Sequence, residues 1–253
     1  MGYKTKIDWC DTTWNPVTGC LHGCEYCYAR RIVERFGGLA PDNECHELEE
    51  RNRDTRGKAD PYPFGFAPTL HRYRLNQPKE WTEPRTIFVC SMADLFGDWV
   101  PLDWIQQVFA ACREAPQHRY LFLTKNPKRY IDLIYKGIIP YWTEARNMWL
   151  GSTATTKQAQ VFGDSRTYST FMSVEPIMEP FFSLGERGCI VDWVIVGAET
   201  GRRKNKVIPK KEWIMEIADK CRATGTPLFM KESLRGIMGD DFVQEFPWEA
   251  LNE

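Results

Sequence analysis

The run Cys20-Leu21-His22-Gly23-Cys24-Glu25-Tyr26-Cys27 places three thiols within eight residues, at the spacing C-x3-C-x2-C. Three thiolates on one tight loop can each bind one iron of a cubane cluster, since iron–sulfur clusters are held by cysteine thiolates. A cubane has four irons, so three protein ligands leave one iron open. An open iron can chelate the amino and carboxylate groups of S-adenosylmethionine (SAM), which sets the sulfonium beside the cluster for one-electron cleavage. Gly23 lets the loop bend closely. A helix from about Tyr28 through Ile32, Val33 and Phe36, stopping at Gly37-Gly38, would turn its N-terminus and favourable dipole toward the thiolates. The competing reading is a structural zinc site that draws a fourth ligand from Cys10, His22, Cys45 or His46. No second C-x2-C pair stands at zinc-ribbon spacing, which favours the cluster.

The remaining six of the nine cysteines, Cys10, Cys45, Cys90, Cys112, Cys189 and Cys221, are scattered. An odd total and no signal peptide argue against a disulfide framework. Cys112 and Cys221 fall at helical spacing from apolar neighbours and read as small hydrophobes. With 33 Lys+Arg against 34 Asp+Glu there is no global basic field to draw the chain onto nucleic acid. No apolar stretch approaches the roughly 20 residues of a membrane span, so a cytoplasmic location without membrane contact is expected.

Positioning a cofactor needs a scaffold. After about residue 85, apolar runs at 85–94, 119–126, 148–155, 170–176, 192–200 and 227–232 alternate with amphipathic ones. Leu102, Ile105, Val108, Phe109 and Cys112 share one helical face, and Trp213, Ile214, Ile217, Ala218 and Cys221 share another. Strands alternating with helices predict βαβ units and a parallel sheet. The expected fold is α/β: one domain over 1–253, a partial or near-complete parallel (β/α) barrel of six to seven strands. Residues 38–84 lack strand periodicity and read either as a partly helical insertion after the first helix, set over the barrel mouth, or as a solvated loop. Each apolar run ends in polar residues, among them Ser91 to Asp94, Lys125, Ser152, Glu175, Glu199 and Lys231. In a parallel barrel these ends share one mouth and form a site; the plainer reading is that strands stop where polarity begins. A basic strip, Arg202, Arg203, Lys204, Lys206, Lys210 and Lys211, could meet phosphates or form a solvated loop.

The triplet with Tyr28 after it, and Tyr26 before its third cysteine, resembles the signature of the radical SAM superfamily. From about residue 7 to about residue 235 the chain also resembles the phage-associated three-cysteine-motif proteins, a family of poorly defined function. Ile7-Asp8-Trp9 and segments 13–20, 88–96, 123–125, 149–152, 173–176 and 193–201 carry that likeness. Many of its members have two more residues between the first two cysteines, whereas this loop has the shorter radical-enzyme spacing.

The resemblance implies an enzyme with a 4Fe-4S cluster on Cys20, Cys24 and Cys27 and with SAM across the strand ends. It would cleave SAM to a 5′-deoxyadenosyl radical that abstracts hydrogen from a substrate. An electron donor such as flavodoxin or ferredoxin is then implied. By similarity to spore photoproduct lyase, Ser91, Met92 and Asp94 would support the methionine amine. Lys125 would pair with the methionine carboxylate. Ser152 would bond the ribose, Glu175 would do likewise or bind substrate, and the backbone around Tyr26 would meet the adenine. A nucleobase, nucleotide or nucleic acid is the expected substrate, with a peptide or small metabolite as the alternative. The reading from another class is a non-enzymatic zinc-binding module that recruits a partner protein.

Overall fold

Apolar runs four to six residues long have no periodicity to show, yet their flanking helices decide what they become: strands buried on both faces. The computed structural model describes residues 5–35, 42–141, 143–163, 167–180, 191–201 and 203–249. In chain order the elements are β1 (Thr12–Trp14), β2 (Val17–Thr18), α1 (Tyr28–Arg35), β3 (His46–Leu48), β4 (Thr69–His71), α2 (Gln77–Glu80) and β5 (Thr86–Val89). There follow α3 (Leu102–Glu114), β6 (Arg119–Thr124), α4 (Lys128–Tyr135), β7 (Met148–Thr153), β8 (Ser169–Val174), β9 (Trp193–Val196), α5 (Lys211–Thr224), β10 (Leu228–Met230) and α6 (Arg235–Met238).

Seven strands form a parallel sheet in the order β1-β5-β6-β7-β8-β9-β10. Every crossover therefore steps in the same direction, the order of a (β/α) barrel rather than of a doubly wound sheet. The fold is α/β, a partial parallel barrel. All four residues of β5 and all six of β7 are buried. Among the described residues, no helix is long and apolar enough to cross a membrane.

The chain divides into two compact units, Met1–Met148 and Trp149–Glu253. In the first, β1 pairs with β5 and β5 with β6. Its core is aromatic: Phe96 packs on Tyr130 at 4.6 Å and Phe109 stacks on Phe122 at 4.8 Å. The expected face of α3 holds except at its first residue. Leu102 is 40% exposed, and Trp104 takes the buried place, its indole N–H donating to Glu47 at 2.7 Å. In the second unit β8, β9 and β10 pair in parallel. Met172, Val174, Val194 and Val196 pack there against Ile214, Ile217 and Cys221 of α5, while Trp213 is only partly buried. Gly225, at φ +69°, ends α5 in the left-handed conformation, and the N–H of Thr226 returns to the carbonyl of Cys221 at 2.9 Å.

The insertion holds more sheet than its sequence suggests. Within it β3 runs parallel to β4, and β4 pairs antiparallel with β2, giving a separate three-stranded sheet. Strands of two or three residues offer no alternation to read, which is why periodicity misses them. Of the readings above, Phe36, Gly37 and Gly38 at the expected end of the first helix, Cys189 and Arg202 lie outside the described residues.

Candidate functional site

The cysteine loop leaves β2 at Gly19, whose φ is +85°. A side-chain carbon there would lie 2.1 Å from the backbone oxygen of Ala67, so only glycine fits. The N–H of Gly19 donates to the carbonyl of Met92 at 2.9 Å, and that of Cys20 donates to the carbonyl of Phe66 at 3.2 Å. The loop is thus wedged between the exit of β5 and the insertion. Gly23, at φ +68°, turns it back, and Cys27 N–H closes on the carbonyl of Cys24 at 3.1 Å.

Helix α1 starts directly after Cys27 and grips the loop. The backbone N–H of Arg30 points at the Cys27 sulfur at 3.4 Å, and its guanidinium donates to the Cys20 carbonyl at 3.3 Å. That guanidinium also lies over the Phe66 ring at 5.0 Å. Arg31 donates to the carbonyl of Tyr26 at 2.9 Å. Beneath the loop, Ala29, Val33, Phe66 and Met92 form an apolar floor touched by Cys20 and Cys27.

The three thiols are free and half-buried. Burial pushes the Cys20 thiol up to about 12; the negative charges of Asp94, Cys24 and Cys27 add to it, and the His22 N–H opposes it. Deprotonating such a group is unfavourable unless a cation supplies compensating charge, as a coordinated metal does. This donor chemistry fits a thiolate-held iron–sulfur group. Among the described residues, no three Cys, His, Asp or Glu side chains are gathered at metal-holding distance. The loop offers three thiols on one turn rather than a closed cage. Each side chain weighed as a fourth zinc ligand is engaged elsewhere. Cys10 points to the Ile7 carbonyl at 3.9 Å and Cys45 donates to that of Trp99 at 3.2 Å. His46 bonds Asp42 at 2.8 Å, and His22 bonds Asp94 at 2.7 Å.

At the end of β5, Asn15 organises two expected residues: its side-chain oxygen accepts the Ser91 hydroxyl at 3.1 Å and the Met92 N–H at 3.0 Å. Asp94 is buried and accepts four hydrogen bonds, from His22, Phe96 N–H, Thr124 hydroxyl and Lys125 N–H, at 2.7 to 3.0 Å. Burial pushes its carboxyl up, but the donors, His22 foremost, outweigh this and hold it below the usual carboxylate range. The Lys125 ammonium stands 5.8 Å from the centre of the Tyr26 ring. Among the described residues no carboxylate pairs with it.

In the second unit Ser152 and the charged strand-end residues Glu175 and Glu199 are already engaged. The buried Ser152 hydroxyl accepts Phe162 N–H at 2.9 Å. Glu175 is paired with Lys231. Glu199 is held by Arg203 through contacts of 2.8 and 2.7 Å. Two cations of the basic strip are thereby committed, Arg203 to Glu199 and Lys211 to Asp241 at 2.6 Å.

Sequence reasoning missed Asn15 and Arg30, and it considered His22 only as a metal ligand. Asn15 had a signal, a polar side chain set in the otherwise apolar run Trp14-Asn15-Pro16-Val17. Arg30 had none, because nothing local tells a helix-surface arginine that its side chain will meet the backbone of the cysteine loop.

No curated protein matches the chain. Among solved structures, a cysteine-to-serine mutant of spore photoproduct lyase aligns at 12% identity and TM-score 0.46, over 96% of this chain and 80% of that one. The family described as a protein of unknown function, DUF5131, matches residues 4–238, nearly the whole chain, and the protein belongs to that family.

Proposed function

We propose that this protein is a radical SAM enzyme in which Cys20, Cys24 and Cys27 hold a 4Fe-4S cluster and SAM binds beside it. The observation that carries the reading is the loop itself: three free, half-buried thiols on one turn, locked between β5, the insertion and the first turn of α1. The cluster, when bound, supplies the electron for reductive cleavage of SAM, delivered by a donor such as flavodoxin or ferredoxin.

The chain's own residues divide the remaining work. Arg30 and Arg31 fix the loop by bonding the carbonyls of Cys20 and Tyr26. Lys125, an ammonium with no carboxylate partner among the described residues, offers a charge-assisted bond to the methionine carboxylate. Asn15 sets Ser91 and Met92 for the methionine amine. Tyr26, its face covered by Lys125, presents its backbone to the adenine. Ser152 and Glu175 are already engaged with Phe162 and Lys231, so a part for them in ribose or substrate binding requires those contacts to open. A nucleic-acid or nucleotide substrate rests on the resemblance and on the exposed Lys204, Lys206 and Lys210 of the basic strip, since Arg203 and Lys211 are drawn into ion pairs.

The test is anaerobic reconstitution with iron and sulfide, reduction with dithionite in the presence of SAM, and assay for 5′-deoxyadenosine. Formation by the native chain and none by Cys24→Ala is expected. A reconstituted, reduced native chain that yields no 5′-deoxyadenosine would overturn the proposal.

A further inference from the structure

We infer that Asp94 is a positioning residue that couples the cysteine loop to Lys125, with His22 as the loop's half of the latch. A carboxylate has two oxygens and about four lone-pair sites. Here one oxygen accepts His22 Nε2–H at 2.7 Å and Lys125 N–H at 2.9 Å, and the other accepts the Thr124 hydroxyl at 2.7 Å and Phe96 N–H at 3.0 Å. With the residue 5% exposed and its acceptor capacity filled, no place is left for the amine of a bound cofactor. The role that the resemblance implies for Asp94 does not fit this geometry.

His22 sits between Cys20 and Cys24 and is held twice. Asp94 fixes one ring nitrogen, and the Trp99 indole packs edge-on against the ring at 4.9 Å. Gly97 makes room for that indole, since a side-chain carbon there would lie 2.3 Å from it. The oxygen that holds His22 also holds the backbone of Lys125, so shifting one donor shifts the acceptor of the other. The connection then returns to its origin. The Lys125 ammonium lies over the ring of Tyr26, the residue before Cys27. The loop is gripped near its first cysteine through His22 and near its third through Tyr26, by neighbouring residues of two strand ends. Resting on the function proposed above, this coupling places the cation for the methionine carboxylate in register with the thiols that hold the cluster.

The experiment is hydrogen exchange by mass spectrometry on the metal-free, full-length protein. It compares the native chain, His22→Ala and His22→Gln, in which the side-chain amide keeps an N–H donor. Loss of one hydrogen bond to a charged group corresponds to a change of about tenfold in local opening. We expect His22→Ala to speed exchange about tenfold in both 20–27 and 124–126, and His22→Gln to recover much of it. Faster exchange in 20–27 with 124–126 unchanged would make His22 a local tie and overturn the coupling. A second arm measures SAM binding on reconstituted protein, where His22→Ala should weaken affinity while iron content stays at the native level. Equal SAM affinity would contradict the coupling. The exchange arm needs no cluster, so it fails or succeeds separately from the proposed function.

Discussion

The strand ends of the two units carry the same residue types and dispose of their charge in opposite ways. In the first, Asp94 is satisfied by three neutral donors and His22, and the neighbouring Lys125 ammonium is left over an aromatic face. In the second, Glu175 with Lys231 and Glu199 with Arg203 each cancel within the unit. A paired cation must give up its carboxylate before it can bind another. A cation–π contact is worth only about 0.5–1 kcal/mol at an exposed site, so an ammonium held that way gains by taking an anionic ligand. Polarity at a strand end therefore does not by itself mark a binding residue. In the proposed function it is the open charge of Lys125, set beside the cysteine loop, that distinguishes it.

The largest expected effect breaks the comparison at its root. Cys20→Ala, Cys24→Ala and Cys27→Ala should each lose most iron and sulfide after reconstitution, while Cys10→Ala and Cys45→Ala keep it. A full cluster in Cys24→Ala would remove the loop from consideration. Next comes the backbone that holds the loop. Gly19→Ala drives a methyl into the Ala67 carbonyl and should lower stability by about 3 kcal/mol in urea unfolding, with poor reconstitution. Gly23→Ala, also at positive φ but with open space around it, should cost only about 1 kcal/mol. Equal losses would show that the insertion does not clamp the loop.

Two lysines sharpen the contrast directly. Lys125→Met should weaken SAM binding by about tenfold to a hundredfold, as expected for a charge-assisted bond worth about 1.5–3 kcal/mol, with little change in stability. Lys231→Met should do the reverse, costing about 2 kcal/mol of stability because Glu175 loses its partner. If Lys231→Met were the variant that lost affinity, the assignment of open charge to the first unit would be wrong.

A pH effect stands outside that contrast and vanishes at neutrality. His71, buried on β4 and bonded to Thr18 at 2.9 Å, is pushed down to about 3 by burial, with Arg74 contributing. Its folded value lies below the unfolded one, so the unfolded chain binds the proton first. The contribution of neutral His71 is then complete above about pH 6.5 and falls by about 1.4 kcal/mol per unit as pH drops toward 3. Urea unfolding at stepped pH should show this acid slope, flattened in His71→Gln.

The helices α3 and α5 were legible because their pattern is long enough to carry a period, and the parallel strands because continuous apolar runs alternate with such helical stretches. The cysteine spacing was legible because ligation chemistry constrains it. The three-residue strands β3 and β4 were not, since pairing with β2 rather than any local alternation makes them strands. Nor was the state of each polar strand end. Lys125 and Lys231 stand in similar sequence settings, each after an apolar run. Only the fold determines that Glu175 reaches Lys231 while Asp94 takes the backbone of Lys125 and not its ammonium. Partnership between residues 31 to 72 positions apart, as in Asp94 with Lys125 and His22, lies beyond any local pattern.

The most direct test of the central claim is a count of iron, acid-labile sulfide and zinc per chain in anaerobically reconstituted protein. The account predicts brown protein with about four irons and about four sulfides per chain, absorbing broadly near ~400 nm, and a spectrum that changes when SAM is added. Colourless protein holding about one zinc per chain, with no response to SAM, would contradict it.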